Sequence, residues 1–267
     1  MAKKVKTKKT LKVSLFLFGV LIGAALTWLP FHDEFTPITL SKRKPITEVA
    51  TDFPLPSNTQ LIQRKAYTIA YEGRTRNPLW MYQQLTLKNY EGNVDRSDYE
   101  FREDPLIPKS IRSTNSDFRS SGFDRGHLCS AASSHFSKEA MEESFYLSNI
   151  SPQVPQFNRG YWKRVENQVH ELLKKYSPLH VFVGPLYLPQ KPHKGKNYVK
   201  YEVIGENQVA VPTHFFLIIF HRENNELWGE RSYLLPNAYI PPETPLSNFQ
   251  TTVDKIERVS GIIFTKE

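Results

Sequence analysis

One stretch divides this chain before any other reading can begin. Val13 to Trp28 runs VSLFLFGVLIGAALTW without a charge, and apolar character continues to Phe31 with only Pro30 interrupting. Nothing adjacent in sequence could share a water-soluble core with it. Its length lies between the core of a signal peptide and a spanning helix, which needs about 20 apolar residues. Gly23, Ala24 and Ala25 are small residues of the kind a signal peptidase accepts, whereas Leu26, Trp28 and Phe31 suit an uncleaved anchor, the preferred reading. Lys3, Lys4, Lys6, Lys8, Lys9 and Lys12 precede the run. Positive charge stays inside, so residues 1–12 are expected in the cytoplasm, or in the matrix if the membrane is mitochondrial. The remainder is then expected in the bacterial periplasm or exterior, or in the mitochondrial intermembrane space. A mitochondrial presequence is usually richer in arginine and serine than this head. The expected division is 1–31 for head and anchor or signal, 32–61 for a Pro-, Thr- and Ser-rich linker or arm, and 62–267 for one folded domain.

Charge must be read with that division in mind. Six of the 35 lysines and arginines lie in the lysine head, and no acid occurs before Asp33. The rest of the chain therefore carries 29 basic against 27 acidic side chains, too even a balance to mark a nucleic-acid surface by itself. Any attraction for phosphate has to come from a local cleft or a bound metal. Cys129 is the single cysteine, so no disulfide forms within the chain and stability must come from packing. A nucleophilic Cys129, close to His127, is the minor alternative to a small buried side chain, since residues two apart on a strand share a face without needing to react.

Strand-like runs rich in β-branched and aromatic residues occur at 66–71, 79–85, 181–183, 198–204, 209–211 and 215–220, bounded by punctuation such as Gly184-Pro185 and Pro212. Trp162, Val165, Val169, Leu172, Leu173 and Tyr176 recur at three- and four-residue intervals, the stripe of an amphipathic helix of about four turns. Shorter helices are expected over 138–146 and 247–259. Strands outnumber helices without alternating regularly, which predicts an α+β fold with a mainly antiparallel central sheet flanked by helices.

Chemistry concentrates in Ser121-Gly122-Phe123-Asp124-Arg125-Gly126-His127. A carboxylate, a guanidinium and an imidazole fall within four residues, with glycines that permit close backbone approach. Phosphodiester hydrolysis needs such functions: a base for water, cations for phosphate oxygens and a metal for the leaving alkoxide.

This segment resembles the signature of the DNA/RNA non-specific endonucleases, metal nucleases with a ββα active-site unit. The resemblance continues through residues 145–158, FYLSNISPQVPQFN, and through Gly184-Pro185-Leu186, 198–201, 211–216 and 235–238, which are similar to the endonuclease G branch. It implies that His127 is the general base, that Asn158 is the direct protein ligand of Mg²⁺ or Mn²⁺, and that Glu166 orients metal-bound water or tunes an arginine. Arg125 and Arg96 are the implied phosphate clamps, with Arg102 a rival to Arg96. Asp124 supports the metal's waters or His127. Single- and double-stranded DNA and RNA, 5′-phosphate products and a homodimer are further implications.

Plainer readings stand beside these. Asn158 could cap a helix, Glu166 could be a solvated charge about 12 Å further along it, Arg125 could pair with an acid, Arg96 could be a solvated surface residue and Asp124 could cap a turn. His135, His170, His180, His193, His214 and His221 have no catalytic company in the sequence, and His214 reads as a core residue. A catalytically inactive nucleic-acid-binding membrane protein and a phosphodiesterase on lipids or small nucleotides are the rival functions.

Overall fold

The computed structural model of the protein describes residues 39–41, 44–45, 59–189, 195–222 and 228–266. The apolar run Val13–Trp28, the lysine head, most of the 32–61 arm and His193 lie outside them. Among the described residues no helix is long and apolar enough to cross a membrane.

In chain order, β1 (Thr39–Ser41), β2 (Lys44–Pro45), β3 (Thr59–Gln63), β4 (Thr68–Glu72) and β5 (Asn77–Leu85) come first. A one-turn helix α1 (Asn115–Phe118), β6 (Asp124–His127), α2 (Lys138–Ser144) and β7 (Ile150–Gln153) follow. Next are α3 (Lys163–Lys175), β8 (Leu179–Leu186), the short β9 (Val203–Ile204) and β10 (Val209–Ala210), then β11 (His214–Arg222) and β12 (Trp228–Pro236). The last elements are β13 (Gln250–Thr251), α4 (Val253–Ser260) and β14 (Thr265–Lys266).

The main sheet runs β1-β12-β11-β8-β5-β4-β3, with β13 also paired to β12, and every pairing in it is antiparallel. Its interior strand β11, HFFLIIFHR, is buried along nearly its whole length. Both faces of the sheet are covered, which is why this strand reads as a continuous apolar run and not as an alternation. Phe216, Ile218 and Phe220 join Phe182, Val253 and Ile256 of α4 and Phe264 on one face. Phe215 stacks on Phe157 and meets Trp162 on the other, where α3 lies with Val165, Val169, Leu172 and Leu173 buried. The expected stripe on α3 is thus the face that packs on the sheet.

Several boundaries differ from expectation. Gly184 and Pro185 lie inside β8, not at its end. A Cβ on Gly184 would sit 2.4 Å from the Leu79 carbonyl oxygen and 2.5 Å from the Phe216 ring, so the glycine serves close packing. Pro185 pairs with Phe215 of β11 but lies past the last β5–β8 pair, Met81 with Val183, where its missing N–H leaves no ladder bond unmade. The expected strand over 198–204 is reduced to Val203–Ile204, which pairs with β10, and 195–203 is exposed throughout. The helix expected at 247–259 begins only at Val253, after a short turn at Leu246–Phe249. Within the arm, Thr39–Ser41 adds to the edge at β12, and Thr59–Gln63 pairs with β4.

One residue ties the small β6–β7 hairpin to this frame. Asn237, just past β12, accepts from Val154 N–H at 2.9 Å and donates to the carbonyls of Pro152 (3.1 Å) and Pro212 (2.9 Å). Replacing Asn237 with Ala strands a backbone donor and two acceptors in a buried place. A loss of about 2–4 kcal/mol is expected in chemical denaturation, together with lower activity from the loosened hairpin; an unchanged midpoint would contradict this role.

Candidate active site

Strands β6 and β7 pair residue by residue, Asp124 with Gln153 and His127 with Ile150. A Cβ on Gly126 would meet the Gln153 side chain at 2.2 Å, so this glycine makes room for that side chain more than for ligand approach. After β7 the chain enters a wide π-turn, Phe157–Trp162, before the regular coil of α3. Such widened turns occur often at functional sites, because they turn a side chain out of the regular helical register. Asn158 is the second residue of this turn. The result is two strands and a helix folded around one cleft of about 710 Å³, which is lined by Arg96, Asp124, Arg125, His127, Asn158, Arg159, Lys163 and Glu166 among others.

Asn158 is not a helix cap. Its Nδ2 donates to Asp124 Oδ2 at 2.9 Å, and its Oδ1 takes no hydrogen bond among the described residues. Arg159 grips the same carboxylate from outside, with Nε 2.7 Å from Oδ2 and Nη2 2.6 Å from Oδ1. Burial alone would raise the Asp124 carboxyl, but the bonds from Arg159 and Asn158 outweigh it and hold it below the usual carboxylate range. Asp124 therefore caps no turn. It fixes which end of the Asn158 carboxamide faces the cleft, and sequence reasoning missed the Arg159 that holds it.

His127 sits between aromatic rings, 5.2 Å from the centroids of both Phe101 and Phe145. Nε2 is closed off from solvent with no hydrogen-bond partner, which leaves Nδ1 to the cleft. Burial, reinforced by the charge of Arg96, depresses the imidazole pKa to about 3, so the ring is neutral at physiological pH. Arg96 leads a short turn whose N-cap Asp95 accepts from Ser97 N–H at 2.9 Å. It reaches the cleft, with its guanidinium 5.9 Å from the Phe145 ring. The rival Arg102 points elsewhere, pairing with Glu142 at 2.6 Å and lying 4.4 Å over Tyr146.

Arg125 forms no ion pair among the described residues. Its guanidinium lies 5.6 Å over Phe101 and 5.3 Å over Phe118, and Nη2 donates to the Asn115 carbonyl at 3.0 Å. Burial, with Arg119 nearby, lowers its pKa. Glu166 is not a solvated charge. Burial raises its carboxyl to about 7, against a hydrogen bond from Ser130 and the charges of Arg96 and Lys163. Cys129 is wholly buried and its thiol is pushed up to about 12, which leaves it no thiolate for nucleophilic work. His135 and His170, to which the sequence assigned no partners, both line the cleft. For His170 the signal was available: it falls one helical turn after Glu166 on the same face.

Residues 46–267 match the DNA/RNA non-specific endonuclease family. The chain belongs to that family. It is 43% identical to human mitochondrial endonuclease G over 212 residues, 79% of this chain and 71% of the human protein. Nuclease C1 of Cunninghamella echinulata var. echinulata is 42% identical over 207 residues, covering 76% of this chain and 81% of that protein. A chain in the crystal structure of the EndoG/EndoGI complex superposes with a TM-score of 0.74 at 42% identity, covering 79% of this chain and 87% of that one. This member of the endonuclease family is accordingly a hydrolase, and its cleft balances four cations against two acids, of which one is ion-paired and the other is only partly ionised at neutrality.

The raised carboxyl has a measurable consequence. A group whose folded pKa exceeds its unfolded value of about 4.3 contributes most below that value, and the contribution is lost as pH rises through 7. Glu166→Gln should therefore gain stability over the parent between pH 5 and pH 8, by up to about 3 kcal/mol at the upper end. A thermal-unfolding series across that range checks it, and an equal difference at all pH values would refute it.

Proposed function

We propose that this protein is a metal-dependent, sugar-non-specific endonuclease that hydrolyses phosphodiester bonds in DNA and RNA at the cleft formed by β6, β7 and α3. The observation that carries this reading is the convergence of His127, Asn158, Arg96 and Arg125 on one cationic cleft, in a chain of this family. In the proposed roles, the neutral His127 carries its proton on Nε2 and accepts one from the attacking water at Nδ1. Arg96 alone would oppose the imidazolium that forms. A phosphodiester entering the cleft brings negative charge, offsets Arg96 and raises the ring's basicity when it is needed. Arg96 and Arg125 bind the non-bridging oxygens, with the planar guanidinium matched to two acceptors at once. Glu166 sets the field at Arg96 and Lys163 from behind.

The donor set suits a hard divalent cation. Among the described residues no group of three or more His, Cys, Asp or Glu could hold a metal, whereas Asn158 offers a free carboxamide oxygen whose orientation Asp124 fixes. One neutral oxygen with retained waters is a Mg²⁺-like or Mn²⁺-like site. When bound, that ion would stabilise charge developing on the leaving oxygen. Contacts to phosphate carry no base information, so sequence preference should be weak on single and double strands alike. Products with 5′-phosphate ends and a homodimeric assembly complete the proposal. The relatives bearing the word mitochondrial and the basic, apolar N-terminus together support action beyond a membrane, in a mitochondrial or exported compartment.

Supercoiled plasmid incubated with the protein and Mg²⁺ should be nicked, and a chelator should abolish nicking. His127→Ala and Asn158→Ala should each reduce the rate at least about 100-fold while unfolding temperature stays near that of the parent. Chelator-insensitive nicking, or full activity in His127→Ala, would remove these assignments.

A further inference from the structure

The cleft extends well past the groups that would hold a scissile phosphate, and its far wall is not phosphate-like in character. His170 stacks on Tyr90 with ring centroids 4.1 Å apart and planes at 19°. Both rings line the cleft. Tyr90 is a fixed base layer: it ends a short turn, Leu87–Tyr90, closed by Asn89 Oδ1 accepting from both the N–H and the hydroxyl of Thr86. Burial, with the charge of Glu166 adding to it, drives its phenol pKa up, so the ring is neutral. His170 is half-buried, and its ring nitrogens make no hydrogen bond among the described residues. No aromatic ring other than Tyr90 is stacked on it among them. A half-open imidazole held flat by a half-buried ring, with no hydrogen bond of its own among the described residues, is an unfinished stack.

Its position says what would finish it. His170 lies twelve residues beyond Asn158 on the same helical path, roughly 18 Å along the axis at the regular helical rise. That is too far to touch the reacting phosphate and suits a neighbouring nucleotide. Lys163 lies between the two on that path, and Arg96, whose charge acts on both His127 and Glu166, lines the same cleft; both can follow a sugar–phosphate backbone. A cationic track with an aromatic platform beside it is the arrangement that holds unpaired nucleic acid, because every base has a π-face. Bases in a duplex are already stacked and cannot take up the platform without unpairing.

We infer that the Tyr90–His170 pair is a stacking platform for an unpaired nucleobase one or more nucleotides from the scissile bond, and that it biases the enzyme toward single-stranded or locally opened substrate. This rests on the nuclease reading above. The substrate recognised is a single strand of DNA or RNA with no base preference.

The test compares kcat/KM for the full chain with Mg²⁺ on a labelled single-stranded oligonucleotide and on its duplex. His170→Ala should lower the single-strand to duplex ratio about ten-fold, the order that base–aromatic stacking contributes. His170→Phe, which keeps a flat ring and loses both nitrogens, should restore the ratio to within about three-fold of the parent. An abasic residue moved stepwise along the strand should slow the parent at one or two positions and leave His170→Ala indifferent to it. Equal losses on both substrates, or failure of Phe to restore the ratio, would overturn the platform. Absence of cleavage of either substrate by the parent would instead overturn the nuclease reading itself.

Discussion

Four residues of strand, Asp124–His127, lie against four others, Ile150–Gln153, and the geometry of the cleft follows from that pairing. An antiparallel ladder fixes register, and register fixes which side chains emerge on which face. The space a side chain on Gly126 would need is filled by the Gln153 side chain from the neighbouring strand, so only glycine fits there. A hairpin this short has little stability of its own. It is held by Asn237 from the end of β12 and by the β7–α3 connection, so the site takes its rigidity from the large sheet without being part of it.

Asp124 provides the second constraint. Its carboxylate joins the strand to the helix by accepting from Asn158 and Arg159 together. An asparagine carboxamide is ambiguous because its two ends are nearly the same size but opposite in hydrogen-bond character. Committing Nδ2 to a carboxylate removes that ambiguity and leaves an oxygen for the cleft. A single aspartate thereby does for Asn158 what a further carboxylate does for many metal-ligating histidines.

Electrostatics in the cleft follow from burial more than from net charge. Outside its N-terminal head the chain is close to neutral, yet the cleft is cationic because Asp124 is taken up by Arg159 and Glu166 is pushed toward its protonated form. The same burial keeps His127 unprotonated. A phosphate entering the cleft would meet fixed positive charge and a free lone pair on the imidazole, which is the combination that hydrolysis of a phosphodiester calls for.

Local pattern was enough for the sequence to determine the α+β class, the sheet-facing stripe of α3 and the strands β4, β5, β8 and β11, and to single out the segment 121–127 that lines the cleft, since side-chain periodicity and short-range motifs are properties of neighbours along the chain. The resemblance of residues 145–158 and 235–238 to a known family supplied what periodicity could not, and Asn237 shows the physical content of the latter segment: it is the clamp on the hairpin. Tertiary structure alone decided between Arg96 and Arg102, because each is an arginine beside aromatic residues and only the chain path turns the first into the cleft and the second onto Tyr146 and Glu142. It likewise decided that Arg159 grips Asp124, that Glu166 is withdrawn from water, and that His135 and His170 border the cleft. Those facts depend on contacts between residues up to 80 positions apart, such as Tyr90 with His170, and on how far each group is removed from solvent. Neither quantity is written in the order of the residues.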